Sequence, residues 1–164
     1  VGEVALLDRE QETCVAGLVT QRIAAKPVVP AELDRVVEVQ VVAPPAVVRE
    51  FGSQPAWLHV VEVSDPTLVA EHRALFLDAG EAQAIALARE HEGAVLLLDE
   101  RRGRRLAATL GLTIVGTAGL LVRAKQAGIV PEARPLLDAL RRSDFRISDA
   151  VYTRALAMAG ESDT

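Results

Sequence analysis

Between Val95 and Ala107 the chain reads VLLLDERRGRRLA, an apolar run that stops at Asp99 and is followed by arginines at 101, 102, 104 and 105. A carboxylate delivered by the end of a buried strand is a candidate metal ligand, and guanidinium forks are well matched to phosphate oxygens. Three more acids have comparable settings: Glu81 opens the helical pattern GEAQAIALA, Asp8 ends the apolar run EVALL, and Glu50 stands in the last turn of a helix begun at Pro45. On that helix Val47, Val48 and Phe51 form the inward stripe, and Glu50 lies roughly 60° from Val47, so it borders the core. The helix dipole disfavours an anion there, which asks for a compensating cation, either an arginine or a metal ion. Brought together, Asp99, Glu81, Glu50 and Asp8 would repel one another and raise the pKa of some members unless a divalent cation neutralised them. Mg2+ or Mn2+ suits such oxygen donors, and an ion of this kind activates water and steadies the leaving oxygen of a phosphodiester.

Each residue also has a plainer role. Asp99 can cap the helix that follows it by accepting a backbone N–H bond. Asp78 and Glu81 fit a capping box, with Asp78 as N-cap and Glu81 reaching back to it. The arginines can be a solvated helix face. Zinc is poorly matched, because His59, His72 and His91 lack paired ligand spacing and Cys14 stands alone.

Strand-length β-branched and leucine runs must position these groups: EVALL ending at Asp8, VEVQVVA around residues 37–43, LHVVEV from Leu58 to Val63, AVLLL ending at Asp99, and LTIVG from Leu112. Helical patterns lie between and after them: PAVVREFG from Pro45 to Gly52, EAQAIALARE from Glu81, RRLAATLG, TAGLLVRAKQAG, ARPLLDALRR, and SDAVYTRALAMAG capped by Ser148 and closed by Gly160. Alternation of this kind predicts an α/β fold with a mainly parallel sheet covered on both faces. Ligands of open α/β sheets gather beyond the carboxyl ends of the strands, where Asp8 and Asp99 are both expected.

The 164 residues are 50% hydrophobic, enough for one core, and no repeat or low-complexity block divides them. A single domain over residues 1–164 is expected, with a flexible end from residue 155. The longest nearly apolar run, Ile114–Val122, is about half a bilayer span, so no membrane association is expected. One cysteine and no recognisable leader point to a reducing cytoplasm. Charge is segregated: residues 1–100 hold 7 basic and 17 acidic side chains, residues 101–154 hold 11 basic and 4 acidic. An anionic partner is therefore expected at the second half. Aromatics make up only 3% of the chain, which leaves little for base stacking. A phosphoacceptor receiver domain would need a lysine at a late strand end, whereas Lys125 falls inside a helical pattern.

The stretches GEAQAIALA, LLLDERRGRRLA, TIVGTAGLLVRAKQAGIV and FRISDAVYTRALAMAGE, together with VVAPPAVVREF, resemble a PIN-domain family of bacteria and archaea described as predicted nucleic-acid-binding proteins and related to toxin-antitoxin ribonucleases. The similarity spans about residues 36–161, and its motifs are specific as an ordered set. The resemblance implies a three-layer α/β/α sandwich, cleavage of single-stranded RNA, and Mg2+ or Mn2+ held by Glu50, Glu81 and Asp99. It further implies a homodimer and, in a toxin-like setting, an antitoxin-like protein partner. The family ends its opening strand with an aspartate, yet the matching region here, LVTQRIAAKP, has no acid. Asp8 is the remaining candidate for that ligand. The contending expectation is a non-catalytic nucleic-acid- or protein-binding module with an incomplete metal site.

Overall fold

The computed structural model describes residues 13–16, 40–52, 54–56, 58–143 and 145–161. These fall into two compact units. The first contains a five-stranded sheet built from β1 (Thr13–Ala16), β2 (Gln40–Ala43), β3 (Leu58–Val60), β4 (Val95–Leu97) and β5 (Thr113–Val115), in the order β3-β2-β1-β4-β5. Every neighbouring pair is parallel, with Val15 opposite Val42 on one side and Leu96 on the other. All carboxyl ends therefore share one rim. The chain runs outward from β1 through β2 to β3, then returns to the far side of β1 for β4 and β5. That reversal places the switch point between β1 and β4, the place where parallel sheets open a crevice.

Among the described residues, the helices of this unit are α1 (Pro45–Phe51), α2 (Pro66–Ala74), α3 (Ala79–Glu90) and α4 (Arg101–Thr109). α3 is buried along nearly its whole length, including Ile85 and Leu87 at 0% exposure, because alanines at 82, 84, 86 and 88 let neighbours close in on every side. It packs with the interior strand β4, whose three residues are all buried. α1 begins after Pro44, which has no side-chain donor or acceptor to cap it. The oxygen of Gln83 on α3 does so instead, accepting from the Ala46 N–H at 3.0 Å. Gly52 ends α1 at φ 76°, a conformation glycine adopts without a Cβ penalty. α2 is opened by Asp65, which accepts from the Thr67 N–H, and by Glu90, which takes the N–H groups of Ser64 and Asp65.

The described residues of the second unit form α5 (Thr117–Gln126), α6 (Arg134–Arg142) and α7 (Asp149–Ala159), packed through Val122, Leu137, Leu140 and Leu156. The stretch expected as a flexible end begins at residue 155, and its residues 162–164 lie outside the described residues. Residues 155–159 complete α7 with Ala155, Leu156 and Ala159 buried, and Glu161 accepts from the backbone N–H groups of Ala133 and Arg134 at 2.7 Å, capping α6. Lys125 lies within α5, donates to the Ala159 carbonyl and pairs with Glu161, so its role is to hold the end of α7.

Two elements differ from the expectation. β1 at TCVA was not foreseen, since four residues are too few to show an alternating pattern; its two parallel neighbours define it. α2 was not foreseen either, because PTLVAEHRA is too weakly amphipathic to announce itself. The strand expected to end at Asp8, and Asp8 itself, lie outside the described residues.

Candidate active site

The candidate acids are carried by three segments of the first unit. Glu50 is half-buried at the end of α1. Burial raises its carboxyl pKa above the usual range and the charge of Asp78 adds to this, while a hydrogen bond from the Gly80 backbone N–H and the nearby Arg49 oppose it. Gly80 is in the first turn of α3. The compensation that an anion at a helix carboxyl end requires thus comes first from the positive end of another helix.

Glu81 is 3% exposed. Asp78 accepts from the Glu81 N–H at 2.8 Å, and the Glu81 carboxyl returns to the Asp78 backbone N–H, so both halves of the capping box form. The cap does not use up the carboxyl. Among the described residues, Oε1 of Glu81 is the buried side-chain oxygen that has no hydrogen-bond partner. Burial, Asp78, Glu100 and Glu50 together push its pKa up to about 7. Glycine at 103 makes room for that oxygen: a Cβ there would stand 2.9 Å from Oε1 and 2.8 Å from Leu98 Cδ2. Since Gly103 lies in α4, the close approach brings this helix onto the first turn of α3.

Asp99 stands one residue beyond Leu98, whose N–H continues the ladder to Val115 O at 2.9 Å past the end of β4. This bond sets Asp99 beside the residue that follows β5, Gly116. A Cβ at Gly116 would lie 2.7 Å from Asp99 Oδ1 and 3.0 Å from Arg104 Nη1. The N-cap position of α4 belongs to Glu100, which makes no side-chain cap bond. The arginines separate into two sets. Arg101, Arg102 and Arg105 are exposed, whereas Arg104 is half-buried and donates from Nη1 to the Leu98 carbonyl at 2.7 Å.

The structure therefore brings Glu50 and Glu81 together with Asp78, and places Asp99 with Arg104 and Gly116. Among the described residues, no three His, Cys, Asp or Glu side chains stand close enough to hold a metal ion jointly. The donor chemistry nonetheless fits a hard divalent ion, on the strength of the unpartnered buried Glu81 oxygen and the mutual repulsion around it. Sequence reasoning missed Gly103 and Gly116. Their φ angles are not of the kind that demands glycine, and only the acid oxygens facing them show why they are small. It also read Asp78 as a cap alone, although its charge acts on both Glu50 and Glu81.

A PIN-domain family model matches residues 19–161, from just after β1 to just beyond α7. Among curated proteins and among solved structures, none matches the chain. The parallel sheet with intervening helices is compatible with PIN-like α/β/α layering, and PIN domains typically use divalent metals. With the match covering most of its length, the chain belongs to the PIN-domain family.

Proposed function

We propose that the protein is a metal-dependent endoribonuclease that hydrolyses phosphodiester bonds of single-stranded RNA. The observation that carries this reading is the Glu81 carboxyl, buried, raised to about 7 and left with one oxygen unpartnered beside Glu50 and Asp78. Glu81, Glu50 and Asp99 would hold Mg2+ or Mn2+, with Asp8 as a further candidate. Mg2+ is commonly bound by one or two carboxylates and keeps several waters, so a compact three-acid cage is not required. When bound, the ion supplies an activated water and charge stabilisation for the leaving oxygen.

The chain's own residues do the rest. Asp78 fixes the first turn of α3 and so aims Glu81. The Gly80 N–H favours the ionised form of Glu50, against the burial that raises its pKa. Arg101, Arg102 and Arg105 line the exposed side of α4, whose first turn contains no acid, and this end of the helix favours a phosphate. Purified protein is expected to cleave single-stranded RNA with Mn2+ and to lose that activity in EDTA, and Asp99→Asn is expected to abolish it. Cleavage that survives Asp99→Asn would contradict the assignment.

A second reading has specific support. The residues after β1 contain no acid until Glu32, and no described trio of ligands is assembled. A non-catalytic RNA- or protein-binding module would show RNA affinity that persists in EDTA, with no cleavage in Mn2+. A cytoplasmic homodimer, and an antitoxin-like partner in a toxin-like setting, complete the proposal; sedimentation of the purified protein tests the dimer. No helix among the described residues is long and apolar enough to cross a membrane.

A further inference from the structure

We propose that Arg104 is a positioning residue that acts as a built-in counter-ion for Asp99, competing with a divalent cation for that carboxylate and making no contact to RNA phosphate. The inference rests on the metal-site reading above for its second half, and on geometry alone for its first.

Three observations separate Arg104 from its neighbours. It is half-buried, whereas Arg101, Arg102 and Arg105 are exposed. Its Nη1 is anchored to the Leu98 carbonyl at 2.7 Å, at the end of β4 and one residue before Asp99. Nη1 and Asp99 Oδ1 both lie within contact of a single point, the place a Cβ would occupy at Gly116. Any side chain at 116 would have to push one charged group away. The Cβ-free wedge at the end of β5 thus lets guanidinium and carboxylate converge over the same few ångströms of backbone.

The position in α4 explains why this arginine is chosen. α4 starts at Arg101, so Arg104 is one turn along and its side chain can lie back toward the residues before the helix. A fixed, planar fork held by a backbone carbonyl loses less freedom on pairing than a lysine would. Without metal it neutralises Asp99 at the rim. With metal the same charge opposes the incoming cation, so affinity for the ion is set below what the bare acids would give.

The test combines a stability cycle in EDTA with Mn2+ binding. Urea midpoints are measured for the whole chain, Asp99→Asn, Arg104→Met and the double variant. The double variant should lose clearly less stability than the two single losses added together; strict additivity would overturn the pairing. By calorimetry, Arg104→Met should bind Mn2+ roughly fivefold tighter than the unsubstituted protein, with Arg104→Lys between them. Unchanged or weaker Mn2+ binding would overturn the competition.

Single-stranded RNA affinity gives the third readout. Its salt slope should be unaltered by Arg104→Met, and a slope reduced by one phosphate contact would reassign the residue to substrate binding. Should Arg104→Met fail to fold, the neutral Arg104→Gln carries all three measurements. If the unsubstituted protein binds no Mn2+, the metal-site reading and the competition fall together, while the EDTA cycle still decides whether Arg104 pairs with Asp99.

Discussion

At the residue scale, Glu81 has one carboxyl doing two jobs: it closes the capping box with Asp78 and leaves Oε1 buried without a partner. Because its folded pKa is raised from 4.5 to about 7, the native state holds the proton more tightly than the unfolded chain. Stability associated with this group is therefore full below about pH 4.5 and is lost as pH rises through about 7. The loss is at most about 3 kcal/mol, less whatever solvent screens. Glu81→Gln should flatten this pH dependence in urea titrations at pH 5 and pH 8; an unchanged difference between the two would show that the carboxyl is not responsible. Gly103→Ala should lower the urea midpoint even though helix propensity alone favours alanine by about 1 kcal/mol, because crowding against Oε1 and Leu98 costs about 1–3 kcal/mol. A raised midpoint would mean that the helix moves freely. The acids were legible as residue types at strand ends and helix starts. The glycines facing them were not, since a Cβ clash is a property of neighbours that only folding brings near.

At the scale of elements, α1 depends on α3 at both ends. Gln83 caps its first turn and Gly80 receives Glu50 at its last. Gln83→Ala should cost about 1 kcal/mol of stability and weaken Mn2+ binding, because the helix that carries Glu50 loses its anchor; a stability loss with Mn2+ affinity intact would detach α1 from the site. The Pro45 start and Gly52 stop of α1 could be read from the sequence because proline and glycine punctuate chains locally. β1 and α2 could not, being short or weakly patterned and defined by what lies beside them. The same limit applies to Glu50: sequence showed that its charge needed compensation and suggested an arginine or a metal, but the N-terminus of a helix 30 residues away supplies the first part.

At the scale of the molecule, charge segregation is the broadest prediction from sequence, and the exposed Arg101, Arg102 and Arg105 give it a location on α4. Replacing these three with glutamine should weaken single-stranded RNA binding and reduce the slope of log affinity against log salt by roughly 2; an unaltered slope would move the phosphate contacts elsewhere. The parallel α/β class followed from alternating strand and helix patterns, and the family from the order of motifs along about residues 36–161, within the 19–161 that the family model matches. The order of strands did not follow, because pairing partners are set by long-range packing. The most direct test of a divalent ion at Glu81 is a Mn2+ titration by calorimetry at pH 6 and pH 8, on the unsubstituted protein and Glu81→Gln. Ion binding must displace the proton that a pKa of about 7 retains. Affinity should therefore rise between the two pH values in the unsubstituted protein and be largely lost in the variant. Equal Mn2+ binding by both proteins at both pH values would contradict the assignment of this carboxyl to the metal.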